Sequence, residues 1–286
     1  MASMRDIKRR KGSIQSTQQI TKAMKLVSTV KLQRARQNAE NSADYFSCMY
    51  DTVTSILAMA EGMQHPFLTG GKSGKKAVIV MTSNRGLAGG YNSNIVKLVT
   101  AGFAPEDTVI YAVGKKGRDS LAHKGYEVVA DASEVVEQPT YPDAMALSER
   151  VLSDFADGKI SEIYLAYTHF KNTVSHIPTL LKLLPVEIPE MDESEEKAVA
   201  VAPMNFEMDE EEALDMLIPK YVTSLIYGGL VEAIASENGA RMQAMDSATS
   251  NAEEMIGDLT LLYNRARQGS ITQELTEIIA GAGAIS

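Results

Sequence analysis

The two ends of the chain have the composition of unusually long helices. The first sixty residues contain no proline and one glycine, Gly12, and from about residue 210 onward the only proline is Pro219. Good helix formers, chiefly Leu, Met, Gln, Lys, Arg and Ala, dominate the first of these segments. Seventy helical residues extend about 105 Å, which exceeds the diameter of a domain of this size. The sequence therefore predicts a helical rod that protrudes from a globular body.

Apolar spacing predicts that the two terminal segments pair as an antiparallel, left-handed coiled coil. In the carboxy-terminal segment an apolar stripe recurs at alternating steps of three and four residues, the heptad spacing of left-handed coiled coils. Its members are Met245, Ala248, Ala252, Met255, Leu259, Leu262 and Ala266. The stripe expected in the amino-terminal segment is Ile20, Ala23, Val27 and Val30. Because small residues bury little area and glycines such as Gly257 weaken a helix, the rod needs a surrounding partner.

The middle of the chain alternates between strand-like and helical patterns, which predicts a central, Rossmann-like α/β domain with a mainly parallel sheet. The strand-like runs are residues 77–83, 108–113, 126–130 and 162–170. The helical patterns between them lie near residues 93–100, 117–123 and 141–155. The expected division is an amino-terminal coiled-coil helix at 1–62, a central α/β foot with an acidic connector at 63–208, and a carboxy-terminal coiled-coil helix at 209–286.

The distribution of charge is uneven along the chain. The net charge is −9, yet residues 1–36 hold ten basic residues and one acid, Asp6. A basic arm on an acidic body suits a nucleic acid, an anionic membrane surface or an acidic protein partner. The single cysteine, Cys48, excludes an internal disulfide framework, and no apolar run is long enough to span a membrane. We therefore expect a protein of a reducing, cytoplasmic compartment.

Two glycine-containing turns are the main candidates for ligand chemistry. The turn at residues 84–92 follows the first strand, where phosphate-binding loops occur in α/β folds, but it lacks the G-x-G-x-x-G spacing. The basic turn at residues 114–118 follows the second strand and could also hold an anion. The four histidines have no metal-ligand spacing, and no G-x-S-x-G nucleophile motif is present. The sequence offers no catalytic constellation, and no metal is expected.

Four separated motifs carry a resemblance to a known family that extends over essentially the whole chain. They are residues 20–28 (ITKAMKLVS), 83–92 (SNRGLAGGYN), 242–249 (MQAMDSAT) and 271–284 (ITQELTEIIAGAGA). In this order they resemble the gamma subunit of bacterial-type F-type ATP synthases. A nucleotide-binding α/β enzyme and a basic-arm nucleic-acid-binding protein are the alternatives, although residues 5–36 contain no aromatic residue to stack on bases.

The resemblance implies a function without an active site. It implies a central rotor shaft, one copy per complex, which turns inside three alpha and three beta subunits. The shaft stands with the epsilon subunit on the c-ring of the membrane and couples ion flow to ATP synthesis or hydrolysis. ATP, ADP and Mg would bind the alpha and beta subunits, so no cofactor and no nucleic acid is expected on this chain. Its place would be peripheral, at the cytoplasmic face of the bacterial cell membrane.

The resemblance also implies contacts that couple the shaft to the beta subunits. The matching residues are Met24, Arg85, Arg267, Gln268, Thr272 and Glu274. Met24 has an alternative role in packing within the coiled coil. The chain departs from the family where Asn84 replaces a frequent acid before Arg85 and where Gly239 replaces a usual alanine. The paired cysteines of the plant thiol switch are also missing.

Overall fold

A computed structural model describes residues 4–59, 65–71, 74–186 and 210–283. In chain order the elements are α1 (Met4–Met59), α2 (Pro66–Thr69), β1 (Lys75–Met81), α3 (Tyr91–Gly102), β2 (Thr108–Val113), α4 (Lys115–His123), β3 (Glu127–Asp131), a short 3-10 helix (Ser133–Val136), α5 (Tyr141–Ala156), β4 (Ile160–Phe170), β5 (His176–Leu184) and α6 (Glu210–Gly283). No helix among these described residues has the length and apolarity needed to cross a membrane.

The chain forms two compact units, and each terminal helix contributes to both. The paired-helix unit lies within Met1–Thr29 and Arg241–Ser286, and the α/β unit lies within Val30–Ala240. These two units are defined by which residues pack together, whereas the boundaries expected at residues 62 and 208 were placed where the helix-forming sequence ends or begins. The expected domain boundaries therefore remain a prediction.

The α/β unit contains a five-stranded sheet in the order β3-β2-β1-β4-β5. Strand β1 runs parallel to both β2 and β4, and β2 runs parallel to β3, as the alternating pattern predicted. Strand β5 is antiparallel to β4 and was not predicted. Its Pro178 has no backbone N–H to donate to a neighbour, and it is tolerated because β5 is an edge strand.

Both faces of the sheet are covered, which explains why β1 reads as a continuous apolar run. One core contains Ala77, Ile79 and Met81 with residues of α5 and α6. The other contains Val78 and Val80 with residues of α3 and α4. Alternate side chains of one strand thus contribute to two cores.

The paired-helix unit contains α1 and α6 in antiparallel register. Across the pair, the Gln18 amide donates to Glu253 Oε1 at 3.0 Å, and Lys25 Nζ lies 2.5 Å from Asp246 Oδ1. Since the α6 partner moves back along the chain as the α1 residue advances, the two helices run in opposite directions. The antiparallel pairing predicted from sequence is confirmed.

The residues expected to form the α1 seam face solvent instead. Ile20 is 59% exposed and Val27 is 58% exposed, and Val30 is also exposed. One set of inward-facing positions on α1 recurs every seven residues: Ile7, Ile14, Thr21 and Ser28. Thr21 and Ser28 are polar, and each lies one residue after an expected seam residue, Ile20 and Val27. Short hydroxyl side chains let the two backbones approach, and their oxygens find acceptors or donors nearby. The heptad period was correct, but the stripe was wrong.

The apolar stripe predicted on α6 is right at some positions and wrong at others. Met245 and Ala252 are buried as expected, but Met255 and Leu262 are exposed. Ile256 and Tyr263, each one position later, are half-buried in their place. The spacing between inward positions remains three and four residues, which is the spacing that favours a left-handed supercoil.

Candidate functional site

Five of the six expected coupling residues belong to the paired-helix unit, where they form two separate groups. Met24 is half-buried on α1, and its carbonyl accepts a hydrogen bond from Ser28 Oγ at 2.9 Å. Its neighbour Lys25 lies opposite Asp246, so Arg267 is about 30 Å farther along α6. The structure therefore does not bring Met24 together with the carboxy-terminal residues.

The carboxy-terminal group is fully available to a partner. Arg267, Gln268, Thr272 and Glu274 are all exposed, and Thr272 Oγ1 donates to the Gln268 carbonyl one turn back, at 2.9 Å. The antiparallel register places Met4 near the level of Arg267, so α6 continues beyond the first described residue of α1. These residues therefore lie level with or beyond the amino-terminal end of the described part of α1.

An apolar stripe at the end of α6 was not predicted from sequence. Ile278 and Ile279 are 68% and 70% exposed, and Ile271 and Leu275 are also exposed. Residues 271, 275 and 278 recur at helical spacing, which could have revealed the stripe. Large apolar side chains collected on one exposed helix are typical of a surface that a partner covers.

The sixth expected residue, Arg85, lies in the α/β unit on the glycine-containing turn after β1. The turn is fixed from within, because the Asn92 amide accepts from the Ser83 N–H at 2.9 Å and donates to Ser83 Oγ at 2.8 Å. The guanidinium of Arg85 is exposed, and Nη2 lies 3.5 Å from Glu137 Oε1. A rigid turn thus presents a cation to solvent beside an acid.

Asn84, the residue that replaces the frequent acid, has a structural role in this chain. Its Nδ2 donates to the Ser133 carbonyl at 2.7 Å, while its Oδ1 accepts from the Lys115 N–H at 3.0 Å. Ser133 is itself held by Asp131, whose pKa is lowered because hydrogen bonds from Ser133 and Arg118 outweigh the effect of burial. The amide both donates and accepts, which a carboxylate cannot do, so Asn84 joins the turn to two neighbouring segments.

We predict that Asn84→Asp destabilises the α/β unit by about 1–3 kcal/mol at neutral pH, because a carboxylate cannot donate to the Ser133 carbonyl. The difference from the unsubstituted chain should shrink below the carboxyl pKa, where a protonated acid can donate again. Urea unfolding at pH 7 and at low pH measures this, with Asn84→Ala as the control that lacks a titratable group. Equal stability of Asn84→Asp and the parent chain at pH 7 would contradict the role.

The basic turn considered for anion binding uses its backbone donors within the protein. At the start of α4 the N–H groups of Lys115, Lys116 and Gly117 donate to Asn84 Oδ1, the Ser83 carbonyl and Thr82 Oγ1. Ligands of α/β sheets usually bind at the carboxyl ends of strands, where the strand order reverses, here between β1 and β4. At that point α6 bonds to Tyr91 on one side and Thr168 on the other. A helix of the same chain therefore lies where a nucleotide would bind.

A cationic groove in the α/β unit was not predicted as a site. It has a volume of 410 Å³ and lies between α1, the loop before α5 and α6. Lys31 and Arg34 stand on its α1 side, Glu137 on its loop side, and the buried Ala35 and Val231 contribute to its apolar lining. Such a groove suits an acidic segment with an apolar side chain.

Comparison with known sequences gives full-length matches. A family model described as ATP synthase matches residues 3–285. The ATP synthase gamma chain of Lachnoclostridium phytofermentans is 63% identical over 291 residues and is covered completely, as is this chain. The gamma chain of Alkaliphilus metalliredigens is 43% identical over 284 residues, which is 99% of this chain and 98% of that relative.

Solved structures share the fold at lower sequence identity. A chain of the Euglena gracilis mitochondrial ATP synthase, solved as OSCP/F1/c-ring, matches with a TM-score of 0.67 and 17% identity, covering 99% of this chain and 94% of that chain. A chain of the Tetrahymena thermophila mitochondrial ATP synthase, from the central stalk and c-ring, has a TM-score of 0.58 and 23% identity and covers 80% and 99%. Together with the sequence matches, this places the chain in the family of ATP synthase gamma chains, the non-catalytic subunit that serves as the rotor shaft of the F-type enzyme.

Proposed function

We propose that the paired-helix unit turns inside a ring of three alpha and three beta subunits, with one copy of this chain per complex. The supporting observation is the polarity of α1 around residues 20–28, where polar side chains face inward and apolar ones face outward. Thr21 and Ser28 face the partner helix, while Ile20 and Val27 face outward. A free-standing helix pair would bury its apolar residues in the seam, so this pair is built to be enclosed.

The apolar residues on the outside of the helix pair bear on how the shaft contacts its partners. A shaft that turns inside its bearing is expected to have an outside of small and polar residues, because broad apolar contacts would resist rotation. The structure exposes separate apolar groups instead, at Ile20, Leu26 and Val27 on α1 and at Met255, Leu261, Leu262 and residues 271–279 on α6. Groups of this size can slide past smooth partner surfaces, whereas a continuous apolar face would hold one orientation.

The basic helix and the cationic groove suit acidic segments of the beta subunits. Arg85, Lys31 and Arg34 present positive charge on the α/β unit, with Glu137 as the acid beside them. Electrostatic attraction demands less exact orientation than packing, which suits a contact that is made and broken in each turn. Arg85 is proposed to touch the beta subunits in this way, and Met24 is proposed to touch them through apolar contact.

The proposed contacts with the other subunits and with the membrane are those expected of an ATP synthase gamma chain. The α/β unit would stand on the c-ring with the epsilon subunit, and the complex would lie at the cytoplasmic face of a bacterial cell membrane. The chain itself would bind no nucleotide, metal or nucleic acid, and ATP, ADP and Mg would bind the alpha and beta subunits. The hydrogen bonds that α6 makes to Tyr91, which begins α3, and to Thr168, near the end of β4, support the nucleotide part of this proposal.

Reconstitution tests the proposal directly. Purified alpha and beta subunits are mixed with and without this chain, and the mass of the complex and its ATPase activity are measured. We expect one copy per hexamer and a strong change in turnover. A chain that fails to associate but binds labelled ATP or an oligonucleotide in equilibrium dialysis would overturn the proposal and favour one of the alternatives.

The carboxy-terminal contacts give a sharper prediction. Arg267→Ala with Gln268→Ala should weaken association with the hexamer at least about fivefold, since interface residues that matter contribute about 1 kcal/mol or more. Nucleotide binding by the hexamer should stay unchanged. The matched control is Asn264→Ala with Arg265→Ala, which removes the same side-chain types from exposed positions one turn earlier. An equal effect of both pairs would argue against specific contacts at 267 and 268.

A further inference from the structure

A short stretch of α6, residues 233–239, is enclosed on nearly all sides within the α/β unit. Ala233, Ala235, Ser236, Glu237, Asn238 and Gly239 are all buried. Helix α6 continues beyond this stretch without a break. Ala240 is the last residue of the α/β unit. The enclosed stretch, which we name the collar, is therefore where the helix leaves that unit.

Three contacts hold the collar at steps of three residues along α6. Tyr91 Oη donates to the Ala233 carbonyl at 3.2 Å, and Ser236 Oγ donates to the Thr168 carbonyl at 2.9 Å. The third contact is between Gly239 and the imidazole of His176. At 3.6 residues per turn, successive contacts are about 60° apart around the helix, so the three contacts spread over about 120° of its circumference. Tyr91 begins α3, Thr168 is near the end of β4, and His176 begins β5.

Gly239 is explained by this third contact. A Cβ at this position would lie 2.5 Å from His176 Nε2, closer than any real side chain could remain. That nitrogen is buried and makes no hydrogen bond, and burial lowers the pKa of His176. The imidazole therefore packs as a neutral ring on the bare helix backbone. A helix-interior glycine costs about 1 kcal/mol relative to alanine, and close packing is the compensating gain here.

These contacts fix the rotational setting of α6 in a way that apolar packing does not. The collar carries mostly small side chains, so it has few protruding groups that would stop the helix from rolling about its own axis. A hydrogen bond is directional, and it weakens steeply when its angle changes. Two such bonds and one ring contact, made to three different elements, resist rolling of the helix within the α/β unit.

We propose that the collar is the point at which torque passes between the α/β unit and the shaft segment of α6, and that Tyr91, Ser236 and His176 are its positioning residues. This inference rests on the proposed rotation of the chain inside its hexamer. It goes further in assigning the torsional connection to three identified contacts. Loss of these contacts lets the helix twist against the α/β unit while both remain folded.

The test measures twist in the assembled complex. The hexamer is fixed to a surface and stalled with a non-hydrolysable nucleotide, and a nanorod is attached through Cys48, the single, exposed cysteine, which lies in the α/β unit. Thermal fluctuation of the rod angle reports the torsional stiffness of the connection. Tyr91→Phe with Ser236→Ala removes both hydrogen bonds, and the angular variance should rise at least about twofold, because each lost bond is a directional restraint.

The chain offers a matched control of the same chemistry. Tyr126→Phe removes another buried tyrosine bond to a backbone carbonyl, that of Phe103 at 2.7 Å, away from α6. Ser224→Ala removes a buried serine bond on α6, but to the Lys220 carbonyl of the same helix. This control pair should lower stability by a similar amount and leave the angular variance unchanged.

The outcomes separate the inference from the proposed function. An unchanged variance in the collar variant, or an equal rise in the control, would overturn the collar as the torsional connection. His176→Ala removes only the ring contact and should raise the variance by itself, so the inference stays testable if the double variant folds poorly. Failure of the unsubstituted chain to enter the hexamer would instead refute the proposed function.

Discussion

Replacing Gly114 by alanine should destabilise the α/β unit by at least about 3 kcal/mol, because the change combines strained backbone with a clash that cannot relax. Gly114 has φ of +111°, and a Cβ on it would lie 2.0 Å from the Thr82 carbonyl oxygen. That oxygen is backbone at the end of β1, so it cannot swing away as a flexible side chain would. The substitution must therefore part β1 from the turn that follows β2.

The effect should reach beyond the turn itself. Thr82 N–H donates to the Val113 carbonyl at 2.7 Å, and the Gly117 N–H donates to Thr82 Oγ1 at 2.9 Å. Displacing Gly114 disturbs both bonds and exposes the carboxyl ends of the two central strands. Hydrogen exchange of the β1 and β2 amides measures this, together with urea unfolding of the whole chain.

Gly125→Ala is the matched control, since Gly125 has φ of +89° but a Cβ on it would meet no atom within 4 Å. It should cost only about 1–2 kcal/mol, the cost of the left-handed backbone for a side chain. If both substitutions had the same effect, backbone conformation alone would explain Gly114. Stable β1 and β2 amides in Gly114→Ala would contradict the clash.

Replacing Ile20 and Val27 by aspartate should weaken assembly with the alpha and beta subunits about 100-fold while leaving the chain folded. Both side chains are more than half exposed in the free chain, so their loss removes little from the fold. Burying the exposed part of each against a partner would contribute roughly 1–2 kcal/mol, and together about 3 kcal/mol, which corresponds to about 100-fold. Association is measured by titrating the hexamer with labelled chain.

The control for Ile20→Asp with Val27→Asp adds the same number of acidic residues but removes no apolar side chain. Gln15→Asp with Gln19→Asp places two acids at exposed positions of the same helix without removing apolar area. We expect a much smaller loss of affinity, and one that depends more strongly on salt. Unimpaired assembly of Ile20→Asp with Val27→Asp would show that this face of α1 meets no partner.

Four of the five strands in the described sheet were predicted from sequence, and the strongest signals came from apolar runs that are buried on both faces. Residues 77–81 and 108–113 are such runs, and they became β1 and β2. Strand β5 was missed because it is an edge strand that contains Pro178 and is mostly half-buried. Periodicity is weak in a strand of this kind, and only pairing with β4 gives it a place in the sheet.

The coupling role of the candidate site residues stays a prediction, and the structure shows only where they lie. Motif resemblance identified Arg85 and the carboxy-terminal group, and the structure places these side chains on exposed surface. Periodicity could have indicated the apolar stripe at residues 271–278, but the collar could not be foreseen. Its three contacts join α6 to α3, β4 and β5, which are far apart in the chain.

Two long terminal helices in a heptad pattern, an α/β middle and the family motifs can all be read from the order of residues. Those features depend on local composition and spacing, which act over a few helical turns or one strand. The stripe of α1 that faces its partner helix depends on tertiary pairing instead. Residues 20 and 21 are separated by about 100° around a helix, so shifting the heptad pattern of α1 by one residue exchanges Ile20 for Thr21 in the seam. Pairing across the two helices, through Thr21 with Thr249 and Lys25 with Asp246, selects the polar stripe and leaves the apolar one outside.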